Sequence, residues 1–125
     1  MKNQKRFMYA FKINKMIIFE VEYGAIKENK NWHFSTSSAE FIRSKKDFAR
    51  CGQCQNDLLK NNKIAFDFFS KWDNFHLSNL TTKQYKNLLK DIEILKNNYK
   101  YIFKDENYDR HYIPFYELKD LSMEV

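Results

Sequence analysis

A capping box followed by an apolar stripe dominates the chain between Leu80 and Phe103. Thr81 and Gln84 have the S/T-x-x-E/Q spacing, in which each side chain can bond the other residue's backbone amide at a helix start. Downstream, apolar residues recur at alternating steps of three and four, which places them on one helical face. The stripe consists of Tyr85, Leu88, Leu89, Ile92, Leu95, Tyr99 and Ile102. The pattern predicts an amphipathic helix over residues 81–103 whose apolar side must be covered.

Alternating apolar and polar residues at the N-terminus predict the strands that provide this cover. One run spans residues 6–13 and a second spans residues 16–24, with Asn14-Lys15 between them. Two such runs joined by two polar residues are typical of a β-hairpin that is apolar on one face. A third run over residues 31–36 predicts a third antiparallel strand. A sheet of this size needs a helix packed on its face, and we expect the 81–103 helix to fill that place.

Two further helices and an extended tail complete the predicted fold. The polar stretch Ser35–Ser38 predicts a break after the third strand, and a helix is then expected over residues 45–60. A second helix is predicted over residues 63–77, and the chain's one proline favours an extended segment over residues 111–117. The 125 residues are of single-domain size. We therefore predict one α+β domain, a three-stranded antiparallel sheet packed against three helices with an extended C-terminal segment. The 63–77 helix has Ile64, Phe68, Trp72 and Phe75 at helical spacing.

The charge is basic overall and unevenly distributed. The net charge is +6, with only basic charges up to Lys15 and mainly acidic charges from Asp105 onward. A basic surplus favours polyanionic partners. The 43% hydrophobic and 18% aromatic content argues against disorder. No segment approaches the 18 or so apolar residues of a membrane span, and Met16–Phe19 is too short for a signal-peptide core. We expect a cytoplasmic protein.

Cys51 and Cys54 form a C-x-x-C pair that could carry chemistry. Such a pair at a helix start can hold a reactive thiolate, and it resembles the active-site motif of thioredoxins. That motif directly follows a strand inside a βαβ unit, a context missing here. Zinc is the second hypothesis, with Cys51, Cys54, His76 and His111 as ligands if the fold gathers them, although the usual ligand spacing is absent. The favoured interpretation is that the cysteines pack near a turn, and no metal or cofactor is predicted.

Basic and aromatic residues are the candidate binding residues. The N-terminus and the segment Arg43–Arg50 could bind phosphates or acidic protein, with Phe48 placed for stacking; a solvated lysine face is the alternative. An aromatic tail near the C-terminus suits a protein interface or covers the core. No catalytic motif is present, so no enzyme is predicted. The candidate residues are Lys2, Lys5, Arg6, Arg43, Lys45, Lys46, Arg50, Tyr108, Tyr112 and Tyr116.

Two segments in the middle of the chain resemble a protein family. The C-G-x-C start at Cys51, followed by the K-W-x-x-x-H-L pattern over residues 71–77, is similar to uncharacterised small proteins of phages and mobile elements. The resemblance implies a setting in which small single-domain proteins often inhibit host machinery, as anti-CRISPR proteins do. We therefore expect a non-catalytic protein that binds a host protein or nucleoprotein complex, such as a CRISPR effector. The alternatives are a direct nucleic-acid-binding module that uses the basic segments, and a zinc or thiol-redox protein that uses Cys51 and Cys54.

Overall fold

The computed structural model describes residues 4–26, 31–44, 47–50, 59–75 and 79–104. In these residues one antiparallel sheet is covered on one face by two helices, which confirms the α+β class. The strands are β1 (Gln4–Asn14), β2 (Ile17–Ile26), β3 (Asn31–Ile42), β4 (Asp47–Arg50), β5 (Asn79–Leu80) and β6 (Lys100–Lys104). The helices are α1 (Lys63–Trp72) and α2 (Thr82–Asn98), with a 3-10 turn at Asp73–Phe75. The order across the sheet is β4-β3-β2-β1-β6, and β5 pairs with β3.

The predicted hairpin is formed by β1 and β2. Tyr9 pairs with Val21, and the ladder shifts register between Lys12 and Asn14. The Asn14 side chain then closes the turn, because its Oδ1 accepts a 2.8 Å hydrogen bond from the Met16 amide. Asparagine commonly folds back on the chain in this way. Met16 therefore belongs to the turn, and β2 begins one residue later than predicted.

The predicted break at Ser35–Ser38 is wrong, because β3 runs through it to Ile42. The serines on the face away from the helices lie opposite glutamates of β2 in the ladder. Ser37 Oγ donates a 2.6 Å hydrogen bond to Glu20 Oε1, and Ser35 Oγ lies 3.4 Å from an oxygen of Glu22. In this part of β3, hydrogen bonds between side chains on neighbouring strands stabilise the pairing. The segment therefore lacks the alternating apolar residues by which most strands are predicted from sequence.

The helix predicted over residues 45–60 is wrong at residues 47–50, which form β4. This strand pairs antiparallel with β3, with Asp47 opposite Ile42 and Arg50 opposite Ala39. A four-residue strand is too short to show a reliable alternation, and pairing with β3 outweighs the local helical pattern. The chain therefore begins with four strands instead of three, and two helices, not three, lie in the described residues. Residues 51–58 lie outside the described part of the chain.

The capping box is present at the start of α2. Thr81 Oγ1 accepts a 3.1 Å hydrogen bond from the Gln84 amide, and Gln84 Oε1 accepts a 2.9 Å bond from the Thr81 amide. Leu88, Ile92 and Leu95 are buried. Together with α1 they pack on the aromatic face of the sheet, which confirms the predicted cover. The shared core contains Tyr9, Phe11, Ile13, Phe19, Val21, Tyr23, Phe34, Leu59, Ala65, Phe68, Phe69, Trp72, Leu80, Leu88, Ile92 and Leu95.

The C-terminal part of the predicted 81–103 helix is wrong. The helix ends at Asn98, Tyr99 is extended, and β6 then pairs antiparallel with β1, so that Phe103 lies opposite Tyr9. Ile102 consequently leaves the helical stripe and packs with the smaller apolar cluster on the far face of the sheet. Tyr99 also anchors α1, since its hydroxyl accepts a 3.2 Å hydrogen bond from the Ala65 amide in the first turn of that helix.

Helix α1 is shorter than predicted, because the α-helical hydrogen bonding ends at Trp72 and a 3-10 turn carries the chain to Phe75. The last two residues of the predicted 63–77 helix lie outside the described residues. So does the predicted extended tail over residues 111–117.

Candidate binding surfaces

Most of the predicted site residues lie outside the described residues. Four predicted site residues lie within the described part of the chain. Lys5 and Arg6 are at the start of β1, Arg50 is at the end of β4, and Arg43 is exposed in the turn after β3. The interface, zinc and thiol hypotheses that use the others stay predictions. The residues outside are Lys2, Lys45, Lys46, Tyr108, Tyr112, Tyr116, Cys51, Cys54, His76 and His111.

The sheet places the two predicted basic segments at opposite ends. Arg6 pairs with Gly24 near the end of β2, whereas Arg43 follows the end of β3, beside the start of β2. The rise of about 3.3 Å per strand residue puts roughly 25 Å between these two ends. Arg6 and Arg43 therefore cannot share one contiguous patch.

A cleft between α1 and α2 is a concave site that sequence reasoning missed. Its volume is about 220 Å³. Ile64 and Ile94 stand at its rim and are 37% and 51% exposed, which is high for isoleucine. The residues that line it are Ile64, Asp67, Phe68 and Lys71 of α1 and Asp91, Ile94 and Leu95 of α2. In both helices these positions recur at helical spacing, so two helical faces meet along the cleft.

The carboxylates of the cleft are already paired. Asp91 Oδ2 accepts hydrogen bonds of 2.8 Å from both Trp72 Nε1 and Lys71 Nζ. Asp67 Oδ2 lies 2.9 Å from Lys63 Nζ, one turn earlier on α1. Because each carboxylate faces a lysine, the cleft itself has little net charge. It presents aliphatic and aromatic carbon to a ligand.

Lysines free of ion pairs follow the outer face of α2 toward this cleft. Lys83, Lys86 and Lys90, which we call the lysine row, are all exposed. None of the three has an ion-pair partner in the described part of the chain. Lys90 precedes Ile94 by one helical turn, so the row ends at the rim of the cleft.

A second surface lies on β6, on the helix side of the sheet. Tyr101 and Phe103 are two residues apart on the strand, so both lie on this side, and they are 38% and 45% exposed. Both rings rest on Tyr9, with ring centroids 5.3 Å apart for Tyr101 and 4.8 Å apart for Phe103. Lys96 Nζ lies 5.3 Å from the Tyr9 ring centroid and 5.9 Å from that of Tyr101. We call Tyr101, Phe103 and Lys96 the β6 platform.

The ammonium group of Lys96 forms an ion pair with a carboxylate on the same helix. Its Nζ lies 3.0 Å from Glu93 Oε2. The hydrogen bond to Glu93 raises the pKa of Lys96 above its usual value, so the ammonium stays charged beside the rings. Cations near the faces of aromatic rings are attracted to them.

Neither a metal cluster nor a membrane helix occurs among the residues that the structure describes. No three of their His, Cys, Asp and Glu side chains are grouped so as to hold a metal ion. Neither described helix combines the length and the apolar character needed to cross a bilayer. Comparison of the chain with protein-family models, with curated proteins and with solved structures gave no match.

Proposed function

We propose that this chain is a small, non-catalytic binding protein of the phage or mobile-element type, which binds and modulates a host nucleic-acid-handling or defence complex. The observation that supports it best is the cleft between α1 and α2, with Ile64 and Ile94 exposed at its rim and the lysine row leading to it. Contiguous exposed apolar surface bordered by polar residues is typical of protein-interaction sites.

The size of the cleft favours a protein side chain over a metabolite. Pockets for drug-sized ligands usually measure roughly 300–1,000 Å³. A cavity of about 150 Å³ accommodates a benzene ring, so a cleft of about 220 Å³ suits one large apolar side chain. Interfaces of this kind depend on a few buried anchors surrounded by polar contacts. The cleft therefore fits the anchor residue of a protein partner.

The lysine row favours an acidic partner. Lys83 to Ile94 spans 11 steps of about 1.5 Å along α2, or roughly 17 Å. An amphipathic helix of about three turns could lie along this length, with carboxylates facing the lysines and an apolar residue in the cleft. Opposite charges of this kind increase the rate of association and select the partner. We propose an acidic amphipathic helix as the bound element.

The identity of the host complex rests on the sequence resemblance. The motifs at Cys51 and at residues 71–77 resemble those of small mobile-element proteins, among which inhibitors of host nucleases occur. The most concrete version of the proposal is an inhibitor of a defence nuclease, such as a CRISPR effector. It would act by occupying a surface of the complex, since no catalytic motif is present in the sequence.

Site-specific photocrosslinking tests the proposal. A photoreactive phenylalanine analogue replaces Ile94 at the cleft rim or, as a matched control, Glu40, an exposed residue of β3. In host lysate we expect the Ile94 position, and not the Glu40 position, to capture a subunit of a nucleic-acid-handling complex. The captured peptide should be acidic. Replacing Lys83, Lys86 and Lys90 together by glutamine should abolish the capture.

Three outcomes contradict the proposal. One is equal capture at Ile94 and Glu40, and another is capture that the glutamine variant does not change. The third is a captured protein with no part in nucleic-acid handling. The glutamine substitutions lie on the exposed face of α2, so circular dichroism should show an unchanged fold for that variant.

A further inference from the structure

We infer that the β6 platform binds an extended single strand of nucleic acid, by stacking one base on Tyr101 and one on Phe103. This site is separate from the cleft and from Arg43, and it borders the start of β1, where Phe7 stacks on Phe103. It uses residues that the sequence pattern assigned to a helix. Exposed aromatic rings beside a lysine are the usual components of surfaces that bind single strands without sequence preference.

The spacing of the two rings selects the conformation of the ligand. Tyr101 and Phe103 are two residues apart on one strand, which separates them by about 6.6 Å. Stacked neighbouring bases are about 3.4 Å apart. Two adjacent bases can therefore reach both rings only if the strand is extended and the bases are unstacked from each other. A duplex keeps its bases paired and stacked, so it is excluded from this mode of binding.

The rings are held in place before any ligand arrives. Tyr101 meets Tyr9 nearly edge-on, with an interplanar angle of 68°. Phe103 stacks on Phe7, with ring centroids 5.9 Å apart and an interplanar angle of 18°. Tyr9 is itself buried in the core. Rings fixed in this way lose little conformational entropy when a base stacks on them, which favours binding.

Charge is expected to contribute less than stacking. Lys96 Nζ lies 5.9 Å from the centroid of the Tyr101 ring, and it is paired with Glu93. A phosphate must compete with that carboxylate for the ammonium. Lys100, the basic residue of β6 whose side chain is described, lies on the opposite side of the strand from the two rings. We therefore expect binding with a shallow dependence on salt, in contrast to the steep dependence of a lysine-rich patch.

Fluorescence anisotropy with the full chain tests this inference. The probes are labelled oligothymidylate, labelled oligouridylate and a duplex of the same length. Tyr101→Leu and Phe103→Leu each keep an apolar side chain but remove the stacking surface, and each should weaken single-strand binding about tenfold. The same factor is expected at low and at physiological salt. Asn61→Ala, at an exposed position before α1 that belongs to neither proposed surface, is the control and should bind as the unchanged protein does.

Lys96→Met separates stacking from charge. It removes the charge and keeps a side chain only one atom shorter, and it should reduce the slope of log affinity against log salt by at most about 0.7, the value for one phosphate on a single strand. The inference is overturned if no single-strand binding is seen, if the duplex binds as tightly, or if both leucine variants bind unchanged. A surface that binds a protein partner instead of nucleic acid would give the first of these results, and single-strand binding elsewhere on the protein would give the last. Crosslinking at Ile94 is independent of these variants, so the two proposals fail separately.

Discussion

The indole Nε1 of Trp72 donates a 2.8 Å hydrogen bond to Oδ2 of Asp91, and this bond joins α1 to α2. Trp72 is buried in the core, so its single donor has to be satisfied inside the protein. The same oxygen also accepts from Lys71 Nζ. The Asp91 carboxylate therefore bonds both a buried indole and a surface lysine. These contacts hold together the two helical faces that form the cleft.

Substitution of Asp91 separates these two contacts. Asp91→Asn keeps an oxygen acceptor for Trp72 and loses only the charge facing Lys71, a partly exposed ion pair worth about 1 kcal/mol. Asp91→Ala leaves the buried indole N–H unpaired, at a cost of about 1–3 kcal/mol. Urea denaturation followed by circular dichroism measures both. Equal losses of stability in the two variants would show that the bond to Trp72 contributes nothing.

Ser37 and Ser38 provide a matched pair of adjacent serines on opposite faces of β3. Ser38 Oγ is buried without a hydrogen-bond partner in the described residues, so Ser38→Ala should leave the free energy of unfolding unchanged or raise it. Ser37→Ala removes a donor to the buried Glu20 and should cost about 1–3 kcal/mol. Thermal denaturation of the two variants compares them directly. A larger loss for Ser38→Ala would contradict this assignment of their roles.

Substitution of Thr81 measures how much the capping box at the start of α2 contributes to the stability of the protein. Thr81→Ala removes the side-chain acceptor for the Gln84 amide and should lower stability by about 1 kcal/mol. Thr81→Ser keeps the hydroxyl and should change it little. Chemical denaturation midpoints provide the comparison, and equal midpoints for the two variants would mean that the cap is not needed.

The buried phenols should make stability fall at alkaline pH. Burial, and to a lesser extent the phenols of Tyr9 and Tyr85, raises the pKa of Tyr23 above its usual value of about 10. Burial also raises the pKa of Tyr85 and of Tyr99. Above pH of about 10 the unfolded chain loses phenol protons that the folded chain keeps. The contribution of these phenols to stability should therefore be fully present below that pH. It should decrease as the pH rises from there through their folded-state pKa values.

The variant Tyr23→Phe isolates the contribution of this one phenol. It keeps the ring and removes the titrating group, so it should flatten the loss of stability above pH of about 10. Urea midpoints measured at neutral pH and at several alkaline pH values give the slope of stability against pH for each protein. An identical slope in the variant would mean that Tyr23 titrates alike in the folded and the unfolded chain.

The core could be predicted from the sequence because it depends on periodicity. Tyr9, Val21 and Leu88 repeat at strand or helix spacing over long segments, and such segments identify both the element and its buried face. The capping box was equally local, since Thr81 and Gln84 bond each other. These features need no knowledge of the tertiary structure.

The errors occurred where partners distant in sequence decide the structure. Tyr99 and Ile102 continue the helical spacing of α2, but the alternation from Lys100 to Lys104 also fits a strand, and pairing with β1 decides between them. The cleft was missed for a related reason. Ile64 fits the buried stripe of α1 by spacing, and its exposure depends on where α2 lies. Ile94 was the available signal, an isoleucine off the stripe of its own helix.

The pairing of β6 with β1 has a consequence for synthesis of the chain. Tyr9 leaves the ribosome well before its partner Phe103, which emerges only after both helices have been made. Until then one side of β1 presents unpaired backbone groups to its surroundings. Open strand edges invite pairing with other chains, so the nascent protein is most prone to aggregation before translation passes Lys104.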